Sequence, residues 1–568
     1  MDKIWLKSYP QGVPHEINPR AYSSLAEVFA EAVSRFRDLP AFTSMGASLT
    51  YADVDRKSHD LAAYLQQHCG LLKGDRVAIM MPNVLQYPVA LFGAFRAGLV
   101  VVNCNPLYTG RELERQLNDS GAKAIIVLEN FAHTVEEVVE RTPVKTVITT
   151  ELGDFFPTIK GLLTNLVIKY GKKMVPPWRI DGAVPFNAAL AVGRKLPFES
   201  VPLTPDDIAF LQYTGGTTGV PKGTMLTHGN MVANLEQASA WMQSRFEAGR
   251  DVVVMPLPLY HVFALTTTLV TALKWGANHV LIANPRDLPA FIHELKKTPF
   301  TVIVGVNTLY RALVDAPGFR EIKPGTLKLA VAGGMAVQRA VSDRWKEVTG
   351  QPIVEGYGLS ETSPFVSANP LNTDVYSGTI GLPFPSTDIS IRDDVGVELP
   401  LGETGELCVR GPQVMKGYWN RPEETANVLS GDGWLRTGDM GFVDERGYVK
   451  LTDRKKDMII VSGFKVYPNE VEEVVMMHPG VLEAAVIGAA DERSGHVVKA
   501  VVVRKDPALT EEQLIAHCKK HLTGYKVPKY VVFRAEPLPK SAVGKILRRV
   551  VRDEVEKAET EAVAVAAT

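Results

Sequence analysis

Eleven consecutive residues, Tyr213-Thr214-Gly215-Gly216-Thr217-Thr218-Gly219-Val220-Pro221-Lys222-Gly223, combine hydroxyls, glycines and one lysine. Glycine lets backbone amides approach an anion without a Cβ in the way, and the threonines and Lys222 add donors, so the stretch suits phosphate oxygens. It is not a Walker loop, because G-x-x-x-x-G-K-[ST] is absent and Lys222 is followed by Gly223. The apolar run 208–211 precedes it, which places the loop at the end of a buried strand and argues against a plain flexible linker. A second cluster lies near the other end. Lys519, Lys520, Lys526, Lys529, Arg534, Lys540, Arg548 and Arg549 face one acid of the same stretch, Glu536. Such a run is either a solvated basic face or a surface for a phosphorylated ligand.

The elements that must hold these residues read as a soluble multi-domain chain. At 568 residues the length predicts about four folding units at roughly 150 residues each. Hydrophobic content of 46% and charged content of 22% exclude a disordered, collagenous or polytopic membrane protein. Lys and Arg number 62 against 63 Asp and Glu, so no global field favours nucleic acid. Cys69, Cys104, Cys408 and Cys518 are isolated, which fits neither a disulfide framework nor a zinc site and suggests a reducing compartment. The start, Met1-Asp2-Lys3-Ile4-Trp5, lacks the apolar run of a signal peptide. The charge-free run 252–273 is long enough to raise a membrane span, yet Pro256, Pro258 and His261 interrupt it; a buried strand, a loop and a buried helix are the better reading.

Along the first part of the chain, apolar strand runs (76–81, 99–102, 124–128, 144–149, 301–305) alternate with helical periods at 25–36 and 89–97. Ser24 and Glu27 predict a capping box at the first of these. This alternation predicts mostly parallel sheets covered on both faces. From about Gly378 short alternating runs such as 406–410 and 447–452 lie between glycine turns and predict a β-rich unit. After Asp453 a compact α+β pattern follows, with a helix from Thr510 capped by Gln513 and a frayed tail over 562–568. The looser segment 153–177 carries Leu162, Leu163, Leu166, Val167 and Ile168 with Lys169, Lys172 and Lys173. It reads as an ordinary docked helix or as an amphipathic segment for an anionic membrane surface.

The phosphate-loop segment resembles the signature of the adenylate-forming superfamily, which includes acyl-CoA synthetases, luciferases and peptide-synthetase adenylation domains. Further motifs follow in that superfamily's order: Glu355-Gly356-Tyr357-Gly358-Leu359-Ser360-Glu361, Gly433-Trp434-Leu435-Arg436-Thr437-Gly438-Asp439, Asp453-Arg454-Lys455-Lys456-Asp457 and Pro539-Lys540-Ser541-Ala542-Val543-Gly544-Lys545. Over its whole length, and in the variant Thr214-Gly215-Gly216, the chain is most similar to the long-chain fatty acyl-CoA synthetases of that superfamily.

The resemblance implies an α/β fold. A large N-terminal domain over 1–452 would hold doubly wound α/β subdomains and a small β-rich subdomain at about 378–452. A smaller mobile α+β C-terminal domain would span 453–568, with a hinge at Asp453. It implies activation of a carboxylic acid with ATP and Mg2+, then transfer to coenzyme A. Thr214, Gly215, Gly216, Thr217, Thr218, Lys222 and Ser360 would meet phosphate; Glu361 would hold magnesium as a hard oxygen donor. Tyr357 offers a flat face to adenine beside Glu355, Gly356, Gly358, Gly333 and Gly334. Asp439 and Arg454 would take the ribose, and Lys545 would bridge the α-phosphate and the acid, a task suited to a compact ammonium on a long stem. The small domain would then turn to present Ser462 and Gly463 for the thiol step, with some of the basic run on coenzyme A.

Pro256-Leu257-Pro258-Leu259-Tyr260-His261-Val262-Phe263 matches the superfamily's acid-side loop, with His261 as either a wall of the acyl site or a packed core histidine. No Asp or Glu occurs between Asp251 and Asp287, so a substrate ammonium there would be buried unpaired; the acid is expected to lack an α-amino group. The expected partners are a fatty acid, ATP and coenzyme A, and no nucleic acid. The expected location is cytoplasmic, and the reading admits peripheral contact with the inner membrane surface and a homodimer.

Overall fold

The computed structural model describes residues 3–214, 221–322, 325–462, 464–491, 494–541 and 544–566. Its framework is two large sheets built from the valine- and isoleucine-rich runs of the first part of the chain. The eight-stranded sheet runs, in spatial order, through Gly417–Tyr418, Lys222–Thr227, Ile208–Thr214, Val100–Asn103, Arg76–Met80, Ala124–Leu128, Thr146–Thr150 and Val184–Pro185. It is parallel except where Lys222–Thr227 folds back on Ile208–Thr214 and takes up Gly417–Tyr418. The nine-stranded sheet has a parallel centre of Ile353–Gly358, Leu329–Ala332, Val302–Gly305, Val252–Met255, Asn278–Leu281 and Pro40–Ser44, with antiparallel strands at both edges. Strands such as Val302–Gly305 are buried on every residue, as parallel strands covered on both faces must be.

The helices Leu25–Phe36, Tyr51–Ala63, Gln86–Arg96 and His228–Met242 fill the space between the sheets, and Phe29, Tyr51, Tyr87, Phe95 and Phe210 form its core. A separate cluster of Tyr310, Phe319 and Trp345 covers the far face of the nine-stranded sheet. The β-rich unit is a four-stranded antiparallel sheet of Asp388–Arg392, Gly405–Arg410, Leu435–Val443 and Val449–Arg454. The last unit has its own core of Val466, Val471, Val475, Val486, Val502 and Leu514 around the long hairpin Val481–Asp491 and Gly495–Arg504.

Several local expectations change. Ser24 does cap Leu25–Phe36 by accepting from the Glu27 amide, but Glu27 turns its carboxylate to Ser23, so the box is half formed. The helix expected from 89 starts at Gln86, because Leu85 and Gln86 are already buried in its core. The tail expected to fray is helical to Ala566: the final helix Arg548–Ala566 is rich in Ala and Glu, whose helix propensity carries it outward. Thr510 and Gln513 do form a complete capping box on Glu511–His521. No described helix is long and apolar enough to cross a membrane; 252–273 divides into the strand Val252–Met255, a loop and a buried helical stretch from Val262.

Candidate active site

The parallel strands of the nine-stranded sheet end side by side, and it is outside such carboxyl ends that open α/β sheets hold ligands. Ala332 pairs with Glu355, so Gly333-Gly334 and Glu355-Gly356-Tyr357 emerge together. Gly333 permits a close approach: a Cβ there would lie 2.9 Å from the Phe263 ring and 3.2 Å from the Gly356 carbonyl. The Glu355 carboxyl is buried and accepts from the Val337 amide at 2.9 Å, which fastens the turn after Gly334; burial pushes its pKa up to about 7.

The loop carrying His261 is held by buried polar groups that the sequence gives no reason to single out. Asn83 donates to the carbonyls of Met255 and Leu257, both at 2.8 Å, and accepts from the Leu259 amide. Tyr87 donates to the Leu259 carbonyl at 3.0 Å and Gln212 to that of Tyr260 at 2.8 Å. A loop whose carbonyls are bonded to fixed side chains keeps its shape, since breaking such bonds inside the core leaves polar groups unsatisfied. His261 caps its helix by accepting from the Phe263 amide, and burial together with the nearby Lys545 ammonium pushes its pKa down to about 4. The imidazole is therefore neutral at physiological pH.

Opposite this wall, Tyr357 donates to Asp439 at 2.6 Å. Asp439 and Arg454 are cross-strand partners in the four-stranded sheet, and their side chains pair at 3.3 Å. Burial, then the Asp439 carboxylate, raises the Tyr357 phenol well above its ordinary range. Asp439 thus has one partner on each oxygen and a spare lone pair on each.

Thr214 and Lys222 face each other across the antiparallel pair that brackets the glycine-rich loop. Gly215, Gly216, Thr217 and Thr218, like Gly463, lie outside the described residues. The Lys222 ammonium pairs with Glu424 and lies 5.1 Å above the Tyr418 ring. Tyr418 in turn donates to Glu361 Oε1 at 2.8 Å. Glu361 and Ser360 sit in a single helical turn, Ser360–Thr362, directly after Gly358 and Leu359. Neither Tyr418 nor Glu424 belongs to a motif; the signal that could have found them is the aromatic and acidic pair of Gly417-Tyr418 and Glu423-Glu424, close behind the sheet-edge turn.

The small domain reaches into the same cleft. Lys545 lies within electrostatic range of Arg454, Asp439 and His261, and burial, then the Arg454 guanidinium, pushes its ammonium down to about 8. Among the described residues its ammonium has no hydrogen bond or ion pair. Gly544, at φ +81°, seats this loop against the large domain: a Cβ there would meet Thr308 Oγ1 at 2.7 Å. Arg311 donates to the Leu482 carbonyl at 2.8 Å as a second tie between the domains. Ser462, at φ +48°, is exposed and shares no hydrogen bond with this cluster; its amide donates to Ser494.

Asp453 is buried at the end of the strand Val449–Arg454, and its carboxylate points into the small domain. It accepts from the Asn469 amide at 2.6 Å and from Arg548 at 2.9 Å. Arg548 also forms a bidentate pair with Glu472, at 2.8 and 2.7 Å. The basic run is consequently less bare than its sequence suggests. Lys526 pairs with Glu470, Lys529 with Asp491, Arg534 with Glu554 and Lys540 with Glu483. Among the described residues, Lys519, Lys520 and Arg549 are the members without an ion pair.

The comparisons with known proteins agree with this architecture. A model of the AMP-binding enzymes matches residues 29–419, and one of the AMP-binding enzyme C-terminal domain matches residues 470–545. The chain is 55% identical to a long-chain-fatty-acid–CoA ligase of Escherichia coli O6:H1, over 98% of each chain. It resembles the crystal structure of the anthranilate CoA ligase AuaEII in complex with anthranoyl-AMP, with a TM-score of 0.83 and 25% identity, over 96% of this chain and 100% of the other. ATP-bound MatB from Rhodopseudomonas palustris is also similar, with a TM-score of 0.80 and 29% identity, over 93% and 98%.

Proposed function

The chain belongs to the family of AMP-binding enzymes, and from that premise we propose that it is a long-chain fatty acid–CoA ligase. It joins a fatty acid to ATP as an acyl-adenylate, releasing pyrophosphate, and passes the acyl group to coenzyme A, releasing AMP. The observation that carries this reading is the seating of the Gly544-Lys545 loop of the small domain against Thr308 of the large one, which brings the Lys545 ammonium within electrostatic range of Asp439, Arg454 and His261. The acid and its long chain rest on the identity to the Escherichia coli ligase.

Adenylation sets an anionic carboxylate against an anionic α-phosphate, so the site must neutralise charge and hold the reactants in line. In this reading Tyr357 lies along the adenine, with Glu355 and Gly356 fixing the strand end it stands on. Asp439 takes the ribose hydroxyls on its spare lone pairs, with Arg454 beside it. Thr214, Ser360, Lys222 and the loop between Thr214 and Lys222 surround the phosphates, for which Lys222 leaves Glu424. Glu361 spends one oxygen on Tyr418 and keeps the other, a donor set that fits Mg2+. When bound, that ion supplies charge neutralisation at the phosphates. Lys545 bridges the α-phosphate and the substrate carboxylate. The neutral His261 and the loop held by Asn83, Tyr87 and Gln212 wall the acyl side, with no charge to pair an amino group. Turning at Asp453 then replaces Lys545 by the surface around Ser462 and Gly463, with Lys519, Lys520 and Arg549 left for the phosphates of coenzyme A.

The test is AMP release across acids of increasing chain length, with and without coenzyme A. Sustained release that requires coenzyme A and rises with chain length supports the proposal. Best turnover on an aryl acid, or sustained release without coenzyme A, contradicts it.

A further inference from the structure

The lysine beside the glycine-rich loop already has an anion. Lys222 opens the strand Lys222–Thr227, and its ammonium pairs with Glu424 while lying 5.1 Å above the Tyr418 ring. A phosphate that needs this lysine must compete with that carboxylate, so what matters is which of the two can move. The backbone at Glu424 is fixed. It stands in the first turn of the short helix Pro422–Val428. Thr425, the next residue, accepts from the Tyr418 amide at 2.9 Å and donates to the Arg421 carbonyl at 2.8 Å. The Trp419 amide donates to the Gly223 carbonyl at 2.7 Å, which stitches this segment to the strand that carries Lys222. The lysine, by contrast, is a compact charge on a flexible four-carbon stem and can exchange one anion for another.

The neighbours show that Glu424 is kept for Lys222. Arg421 Nε lies 3.9 Å from Glu424, but that guanidinium spends its short contact, 2.7 Å, on Asp119. Glu424 Oε2 is buried, and among the described residues Lys222 is its one partner. Glu361 and Glu424 flank the same ring: Tyr418 donates to Glu361 at 2.8 Å, and burial, then Glu361 and Glu424, hold its phenol well above the ordinary range, so it stays a donor. We propose that Glu424 is the resting seat of Lys222, competing for the ammonium with the phosphates of ATP before adenylation and with pyrophosphate after it, and so setting the affinity for the one and hastening release of the other. The inference rests on the ligase reading above, in which Lys222 meets phosphate. A binding group that is free only part of the time lowers the apparent affinity by that fraction. An ion pair whose side chains are 22% and 37% exposed contributes a factor of about five.

The experiment measures ATP binding to the full chain with Mg2+ but without an acid, so that nothing turns over, and then inhibition of AMP release by added pyrophosphate. Glu424→Gln should bind ATP about fivefold more tightly and be inhibited at about fivefold lower pyrophosphate, with the unfolding midpoint of the wild type and no gain in kcat. Glu424→Ala should gain as much. Glu423→Gln removes the same charge one residue away, from an exposed side chain without an ion pair among the described residues, and should change neither quantity. In a Lys222→Met background the gain from Glu424→Gln should shrink to less than about twofold, because the lysine it releases is gone. ATP binding that is unchanged or weaker in both Glu424 variants overturns the proposal, as does an equal gain in Glu423→Gln or an undiminished gain without Lys222. A wild type that binds ATP but releases no AMP with any acid and coenzyme A counts against the ligase reading and leaves the binding comparison to decide the seat. A wild type that binds no ATP removes both.

Discussion

On the large-domain side of the cleft, the groups proposed to face the nucleotide are wired to one another through strand positions. Tyr357 bonds Asp439, Asp439 pairs with its cross-strand neighbour Arg454, and Tyr418 bonds Glu361. On the small-domain side, Lys545 stands on a loop, has no partner of its own among the described residues, and is fastened three residues later by Arg548 on Asp453 and Glu472. One half is fixed before substrate arrives; the other is held by a clamp at the proposed hinge. The difference teaches how one cleft can serve two successive reactions. Fixed dipoles suit the charge that develops at phosphate, whereas a group needed for only one step is best carried on a body that can leave.

Breaking the fixed half should cost most. Glu361→Gln keeps the shape and the bond to Tyr418 but removes the charge offered to magnesium. AMP release should fall about a hundredfold or more, with a higher apparent demand for magnesium. A magnesium titration on the purified variant checks this, and an unchanged dependence would assign the ion to another residue.

The hinge comes next. Proline at 453 fixes φ near −65° and also removes the carboxylate that Arg548 and the Asn469 amide share. Asp453→Pro should therefore separate the half-reactions by about tenfold or more, with adenylation surviving better than thioester formation. Equal loss in both, or none in either, would remove Asp453 from the pivot.

A smaller effect should follow pH. Lys545 titrates at about 8 in the described structure, below the ordinary lysine range, and its role requires the ammonium. kcat/KM for adenylation, which reports the free enzyme, should be flat below that value and fall as pH rises through it. Thioester formation from supplied acyl-adenylate should show no such limb. A shared limb would place the titration elsewhere.

How much of this was legible in the sequence depends on the range of the interaction. Strands such as Val252–Met255 and Ala124–Leu128 could be read because a run of β-branched residues declares itself locally. So could the Thr510 cap, whose partners are three residues apart. Asn83, Tyr87 and Gln212 could not, because an ordinary polar residue becomes a loop anchor only when the second sheet is laid beside it. Arg548 read as one more base in a basic run, since Asp453 and Glu472 are far away in sequence. The segment 153–177, folded as the helix Thr158–Leu166 and one wider turn, Val167–Gly171, shows the same limit. The pattern reveals an apolar stripe, but only Gly153, Glu129 and Glu151 reveal that the opposite face is the one that packs on the chain.

The account turns on Lys545 being the movable half's contribution to adenylation alone. The most direct measurement gives purified Lys545→Ala each half-reaction separately: acid-dependent ATP–pyrophosphate exchange, and conversion of supplied acyl-adenylate and coenzyme A to thioester. Exchange should be lost and thioester formation kept. Equal loss of both would contradict a cleft with one fixed and one exchangeable side.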